Sequence, residues 1–197
     1  MPPAMEQGTL LSVTSDDVRE AADRIAPYVR TTPVLATEIG GRPVTLKLEN
    51  LQVTGSFKIR GALNGVIAAR DARGPACPGG HVVAASGGNH GLGVAAAAKI
   101  MGLSATVFVP RTTPEAKVRR IAAQGARVML HGEVYADAET AARAWAEQSG
   151  GSYLRAYDDP AVIADQLNRP GLAGMGVLSG VAGTVRGRDP SLQSCGQ

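Results

Sequence analysis

The feature that most constrains the fold of this chain is a regular alternation of short apolar runs with helical patterns. Apolar runs of strand length lie at 44–49, 81–85, 105–109, 126–130 and 152–154, and helical patterns lie between them at 57–70, 89–101, 114–123 and 134–149. Strands that alternate with helices across short loops pair in parallel, because each helix carries the chain back to the start of the next strand. The sequence therefore predicts an α/β fold with parallel sheets flanked by helices.

The two ends of the chain differ from this regular middle part. We interpret residues 1–14 as a loose leader and residues 15–166 as the folded domain, which begins with a helix capped by Ser15 and includes a short strand at 34–36. Pro160 starts a further helical pattern, but residues 167–197 contain seven glycines, two prolines, three arginines and no aromatic residue. This composition predicts an unstructured or divergent tail.

Composition and charge exclude several classes of function. The net charge is only +3, and no basic run is interleaved with aromatic residues, so we expect no nucleic-acid partner. The densest basic cluster, formed by Lys117, Arg119 and Arg120, is most simply a solvated helix face. The longest apolar stretch, 91–101, is interrupted by Lys99 and is too short to span a bilayer, so we expect no membrane partner.

The cysteines and the first residues indicate a cytoplasmic protein. Cys77 and Cys195 lie far apart, and neither belongs to a Cys/His cluster with metal-ligand spacing, so we predict no metal site. The first residues lack the charged segment and apolar run of a secretory signal. A reducing cytoplasm is the simplest location for such a chain.

Lys58 is the first candidate for chemistry. It follows the strand at 44–49 and lies in the first turn of the predicted helix 57–70. A helix N-terminus carries positive partial charge, which favours the neutral amine of a lysine held there. A neutral lysine amine is a nucleophile that forms Schiff bases with carbonyls, including that of pyridoxal phosphate. The alternative is a solvated lysine that happens to lie near a helix start.

A second candidate site is the loop 86–91, Ser-Gly-Gly-Asn-His-Gly, between a predicted strand and helix. Its glycines allow backbone N–H groups to approach a ligand, a helix N-terminus binds anions, and Ser86 can cap the helix. Asn89 offers an amide donor for a phenolate-like oxygen, and His90 either donates a hydrogen bond or serves a structural role. Glycines at such turns also serve packing alone, so the loop by itself is weak evidence.

Two motifs, 49–62 and 86–91, occur in this order along the chain. Together they resemble the threonine/serine dehydratase family, which includes the serine racemases. The resemblance extends from about residue 15 to residue 166. It implies a fold-type II, pyridoxal-phosphate-dependent enzyme of the tryptophan synthase β kind, with a small domain and part of a large domain. It also implies α,β-elimination of L-threonine or L-serine to a 2-oxo acid and ammonia. A homodimer is possible, since exposed edges of the large domain would invite association.

The resemblance implies roles for matched residues. Lys58 would bind the cofactor, pyridoxal 5′-phosphate, as a Schiff base and move the α-proton of the substrate. Phe57 would pack beside the cofactor ring, and Asn89 would contact its 3-hydroxyl oxygen. Ser86, Asn89 and His90 would bind the carboxylate of a small amino-acid substrate.

Two departures from the family pattern leave alternatives open. The resemblance implies that racemase members place a serine where this chain has Gly87. Because glycine cannot transfer a proton, elimination is favoured over racemisation. The glycine-rich phosphate loop is not recognisable after Gln166, so the chain resembles a truncated member. The alternatives are an inactive fragment, a serine racemase-like enzyme, or a cysteine synthase-like enzyme. The residues of both motifs disfavour the cysteine synthase.

Overall fold

The computed structural model of the chain describes residues 13–74, 80–157 and 159–167. The predictions for most of the leader, for both cysteines and for the tail from residue 168 lie outside the described residues. Within them the helices are α1 (Ser15–Ile25), α2 (Lys58–Asp71), α3 (Asn89–Ile100), α4 (Glu115–Ala122), α5 (Tyr135–Ser149) and α6 (Pro160–Leu167). The strands are β1 (Val34–Ile39), β2 (Arg42–Lys47), β3 (His81–Ala85), β4 (Ser104–Val109), β5 (Arg127–Leu130) and β6 (Ser152–Tyr153). The alternation predicted from the sequence is confirmed.

Four of the strands form one parallel sheet in the order β5-β4-β3-β6. Successive positions of β3 are buried in different clusters, with Val82 and Ala84 on one face and Val83 and Ala85 on the other. Helices α2 and α3 cover the first face, and α5 covers the second. Burial on both faces explains why β3 and β4 read as continuous apolar runs in the sequence.

The first two strands lie outside that sheet and form an antiparallel hairpin. Gly40 and Gly41 form its turn with φ values of 58° and 75°, as a two-residue turn with two left-handed positions requires. The sequence predicted these strands at 34–36 and 44–49, but the hairpin pairs Val34–Ile39 with Arg42–Lys47. The boundaries differ because pairing across the turn extends β1 beyond its apolar residues.

The predicted starts of α1, α2, α4 and α5 are each wrong by one residue, and the caps of α1 and α4 show why. Thr14, not Ser15, caps α1, and it forms a reciprocal capping box with Asp17. Pro114 was expected at the first helical position of α4, but it is the N-cap with an extended ψ of 133°, and Glu115 begins the helix. In both cases the capping residue precedes the first residue with helical dihedrals.

Asn64 ties α1 and α6 to α2. It is 1% exposed, its Oδ1 accepts a hydrogen bond of 2.6 Å from Nη1 of Arg24, and its Nδ2 donates one of 2.6 Å to the Ala161 carbonyl oxygen. Gly65, beside it, allows close packing, since a Cβ there would lie 2.9 Å from Cγ2 of Val162. These contacts fix α2, and with it Lys58, against the rest of the domain.

Candidate active site

The loops that follow the parallel strands meet at the carboxyl edge of the sheet, where α/β proteins bind ligands. They enclose a cleft of about 450 Å³, a volume in the usual range for small-molecule sites. Lys58, Ser86, Asn89 and His90 all line this cleft. The two motifs that lie about thirty residues apart in the sequence are therefore parts of one site.

Lys58 lies in the first turn of α2, as the sequence predicted, although the helix begins at Lys58 rather than at residue 57. Its Nζ donates a long hydrogen bond of 3.5 Å to the Ala156 carbonyl oxygen and lies 4.6 Å from the ring centroid of Tyr157. Burial lowers the pKa of the Lys58 ammonium below its ordinary value. The expected direction is confirmed, with loss of hydration on burial as the cause.

Phe57 lies beside Lys58 but does not line the cleft. Its ring centroid lies 5.0 Å from Nζ of Lys58, and the residue is 41% exposed. As the N-cap of α2 it makes no side-chain capping hydrogen bond. The predicted contact with a cofactor ring remains a prediction.

The glycine loop opens α3 with uncapped backbone donors. Gly88 is the N-cap and supplies no side-chain acceptor, so the first N–H groups of α3 lack a side-chain cap. Ser86 was expected to cap this helix. Its Oγ instead accepts a hydrogen bond of 3.1 Å from the Gly88 N–H and stabilises the turn. Asn89 begins the helix and is exposed in the cleft.

His90 is buried under the loop, 4% exposed. Its Nε2 lies 3.3 Å from the Leu154 carbonyl oxygen, so Nε2 carries the proton and donates. Burial lowers the pKa of the imidazole to about 4, and the nearby charge of Lys58 acts in the same direction. Its buried Nδ1 is an acceptor with no hydrogen-bond partner among the described residues.

Two glycines permit close approach at this site. A Cβ on Gly91 would lie 2.1 Å from the Ser86 carbonyl oxygen. The close approach of the loop to the start of α3 therefore requires a glycine at this position. A Cβ on Gly93 would lie 3.1 Å from the Lys58 carbonyl oxygen, so α3 packs directly against the first turn of α2. The distance between the lysine and the loop is thus set by glycines in α3.

Sequence reasoning missed several residues that line the same cleft. They come from three other elements, and they are Lys117, Arg120, Ile121, Tyr135, Ala156 and Tyr157. The basic cluster on α4 was interpreted as a solvated face, and that interpretation is incomplete, since two of its three cations face the cleft. Their spacing of three residues on one helix was the available signal, but only the tertiary structure places that face beside Lys58.

No group of three or more His, Cys, Asp or Glu residues in the described part of the chain is arranged to hold a metal ion. No helix there is both long enough and apolar enough to cross a membrane.

Comparison with known proteins identifies the family. A sequence profile described as "pyridoxal-phosphate dependent enzyme" matches residues 8–168 of this chain. The chain belongs to the pyridoxal-phosphate-dependent enzyme family. The fold-type II resemblance inferred from the lysine and glycine motifs is thereby confirmed.

Individual members of the family that resemble this chain include lyases and a racemase. L-threonine ammonia-lyase of Thermotoga maritima is 35% identical over 206 residues, covering 93% of this chain and 50% of that protein. The crystal structure of a threonine deaminase from T.th. matches with 38% identity and a TM-score of 0.68, covering 85% of this chain and 51% of that one. A pyridoxal 5′-phosphate-dependent aspartate racemase matches with 36% identity and a TM-score of 0.71, covering 83% and 49%. This chain therefore spans about half the length of these relatives.

Proposed function

We propose that this chain forms the lysine-bearing half of the active site of a pyridoxal-phosphate-dependent amino-acid ammonia-lyase. The substrate is a small β-hydroxy amino acid of the L-threonine or L-serine kind, and the products are a 2-oxo acid and ammonia. The observation that carries this proposal is that the Lys58 amine and the uncapped start of α3 open into one cleft. A nucleophile and an anion-binding helix start are what an amino-acid substrate and an aldehyde cofactor require.

The residues present fit the cofactor. Lys58 supplies the amine, and burial favours its neutral, nucleophilic form. Asn89 supplies an amide donor at the start of α3, within the same cleft. When bound, pyridoxal phosphate acts as an electron sink for the substrate α-carbon.

The remaining chemistry falls to residues of this chain. Lys58 Nζ takes up the α-proton, because it is the amine in the cleft whose charged form burial disfavours. The N–H groups at the start of α3, with Ser86 and Asn89, hold the substrate carboxylate. His90 is neutral at pH 7, so it orients the loop through Leu154 rather than supplying positive charge.

Racemisation is the second candidate, and the aspartate racemase likeness is the observation that favours it. A two-base racemase needs a proton donor on the substrate face opposite the lysine. Gly87 offers no side chain for that role, and Thr113 packs against it instead. Elimination requires only the lysine, so we prefer the lyase.

The test is to add pyridoxal phosphate to the purified chain and reduce the product with borohydride. We expect a visible absorption band, and we expect mass spectrometry to find the reduced adduct on Lys58. Lys58→Ala should lose the band, whereas Lys99→Ala, which alters an exposed lysine of α3, should keep it. Equal labelling of Lys58 and Lys99 would contradict the proposal.

Turnover is measured separately, as ammonia and 2-oxo acid released from L-threonine and L-serine. Release that depends on Lys58 supports the lyase. A Lys58 adduct without ammonia release supports the alternative of an inactive fragment. A change in optical rotation without ammonia release supports the racemase.

A further inference from the structure

Helix α4 presents two cations to the cleft on one face. Lys117 and Arg120 are three residues apart, so their side chains lie on the same side of the helix, and Ile121 continues that side. All three line the cleft together with Lys58 and the loop 86–90. The part of the cleft wall that α4 forms is therefore basic.

The positive charge of this wall is not neutralised within the described part of the chain. The acidic residue at the start of α4, Glu115, is paired with Arg119 at 2.6 Å on another side of the helix. Neither Lys117 nor Arg120 forms an ion pair with a described residue. No described residue that lines the cleft is acidic.

The cleft thus has two separate positions for anions. One is the start of α3, where uncapped N–H groups suit a carboxylate. The other is the pair Lys117 and Arg120 on α4, whose charges can bind a second anionic group. An amino acid with one carboxylate uses only the first position.

We propose that the cleft selects a dicarboxylic β-hydroxy amino acid, with Lys117 and Arg120 binding its side-chain carboxylate. This inference rests on the proposed function, because it places the α-carboxylate at the start of α3. With 3-hydroxyaspartate, loss of the α-proton and β-hydroxyl releases water, and hydrolysis consumes water to give a dicarboxylic 2-oxo acid and ammonia. The reaction needs no oxidant or reductant.

Binding is tested with two ligands of the same size that carry no β-hydroxyl group, L-aspartate and L-asparagine. Isothermal titration of the full chain with pyridoxal phosphate present should give a dissociation constant about tenfold lower for aspartate, as expected for charge-assisted hydrogen bonds. The double variant Lys117→Gln/Arg120→Gln should bind the two ligands equally. Arg119→Gln, a matched change on the other side of α4, should keep the preference.

Three results of the aspartate and asparagine titrations would overturn the inference. They are equal binding of aspartate and asparagine by the unaltered chain, a preference that survives the double variant, and a loss of preference in Arg119→Gln. The double variant is also titrated with pyridoxal phosphate and with pyridoxal. If it weakens binding of the phosphate form alone, these cations hold the cofactor phosphate, and the inference fails.

Failure of the proposed function gives a different result. In that case the band and the borohydride adduct on Lys58 are absent. The aspartate preference can then be measured on the same chain by NMR shifts of α4 amides, which need no turnover. Amide shifts that depend on Lys117 and Arg120 would support a dicarboxylate-binding site even if the chain is not a lyase. If no such shifts are seen, the proposed site is wrong.

Discussion

Gly87 packs directly against Thr113. A Cβ on Gly87 would lie 2.7 Å from Cγ2 and 2.8 Å from Oγ1 of Thr113, closer than real side chains approach one another. The space beside Gly87 is therefore filled by a neighbour from the loop between β4 and α4. A serine at this position, as in the racemase-like pattern, does not fit unless Thr113 changes.

The first prediction concerns this pair. Gly87→Ser should lower the free energy of unfolding by about 1–2 kcal/mol, because it overpacks the loop. Adding Thr113→Ala should recover most of that loss, since the methyl and hydroxyl groups that clash are removed. Urea unfolding of both single variants and the double variant measures the coupling. Additive effects of the two changes would show that the residues do not compete for space.

The second prediction concerns Gly91 at the start of α3. Gly91→Ala should cost about 3 kcal/mol or more of unfolding free energy, because its Cβ would meet the Ser86 backbone carbonyl at 2.1 Å. The loop must open to relieve the contact, so cofactor binding should weaken as well. Gly88→Ala is the control: the nearest atom to its Cβ is Ser86 Oγ at 3.8 Å, and its φ of −115° suits alanine. Thermal unfolding of both variants compares the two positions.

The third prediction concerns the ionisation of Lys58. Burial disfavours its ammonium form, so the neutral amine should appear at a lower pH than in an exposed lysine. Acetylation rates measured by mass spectrometry across pH should therefore rise earlier for Lys58 than for Lys99, which is exposed on α3. Because the folded-state pKa is depressed, this residue contributes stability that increases as pH rises through that pKa towards the unfolded value. A Lys58 profile identical to that of Lys99 would contradict the assignment.

The fourth prediction concerns acid sensitivity caused by His90. Its folded pKa of about 4 lies below the ordinary value of 6.5, so only the unfolded state takes up a proton between those values. The folded protein should therefore lose about 3 kcal/mol of stability from this residue as pH falls from 7 to 4. Above pH 6.5 the contribution should be constant.

Denaturant unfolding of the parent chain and of His90→Asn between pH 7 and pH 4 tests the fourth prediction. The variant is expected to be less stable at pH 7, because it loses packing and the contact with Leu154, but to show a weaker dependence on pH. A His90 imidazole that titrates near pH 6.5 by NMR would contradict the prediction.

Much of the fold was predictable from local patterns. The period of apolar residues identified the parallel strands and the helices between them, because strands buried on both faces need continuous apolar runs. Element ends were less predictable. The N-cap at Thr14 was missed although Thr14 and Asp17 have the spacing of a capping box, whereas the hairpin extends to residue 39 because β2 pairs with it. The leader and tail boundaries stay predictions.

The candidate site was only partly predictable. The order of residues alone indicated Lys58 and the loop 86–90, because a lysine at a helix start and glycines at a strand–helix turn have local signatures. The burial of His90 was not visible, since its partner Leu154 lies 64 residues away. The orientation of Tyr135 towards the cleft was not visible either, because it depends on how α5 packs against the sheet.

The sequence by itself determined the order of strands and helices, the position of the candidate lysine at a helix start and the glycine loop, because each depends on residues close together in the chain. Only the tertiary structure decided that these motifs share one cleft, that Thr113 fills the space at Gly87, and that Lys117 and Arg120 line the same cleft as Lys58. The physical reason is that the parallel sheet gathers loops from distant segments at its carboxyl edge. Which side chains meet there depends on packing between helices, and no local pattern of residues encodes that packing.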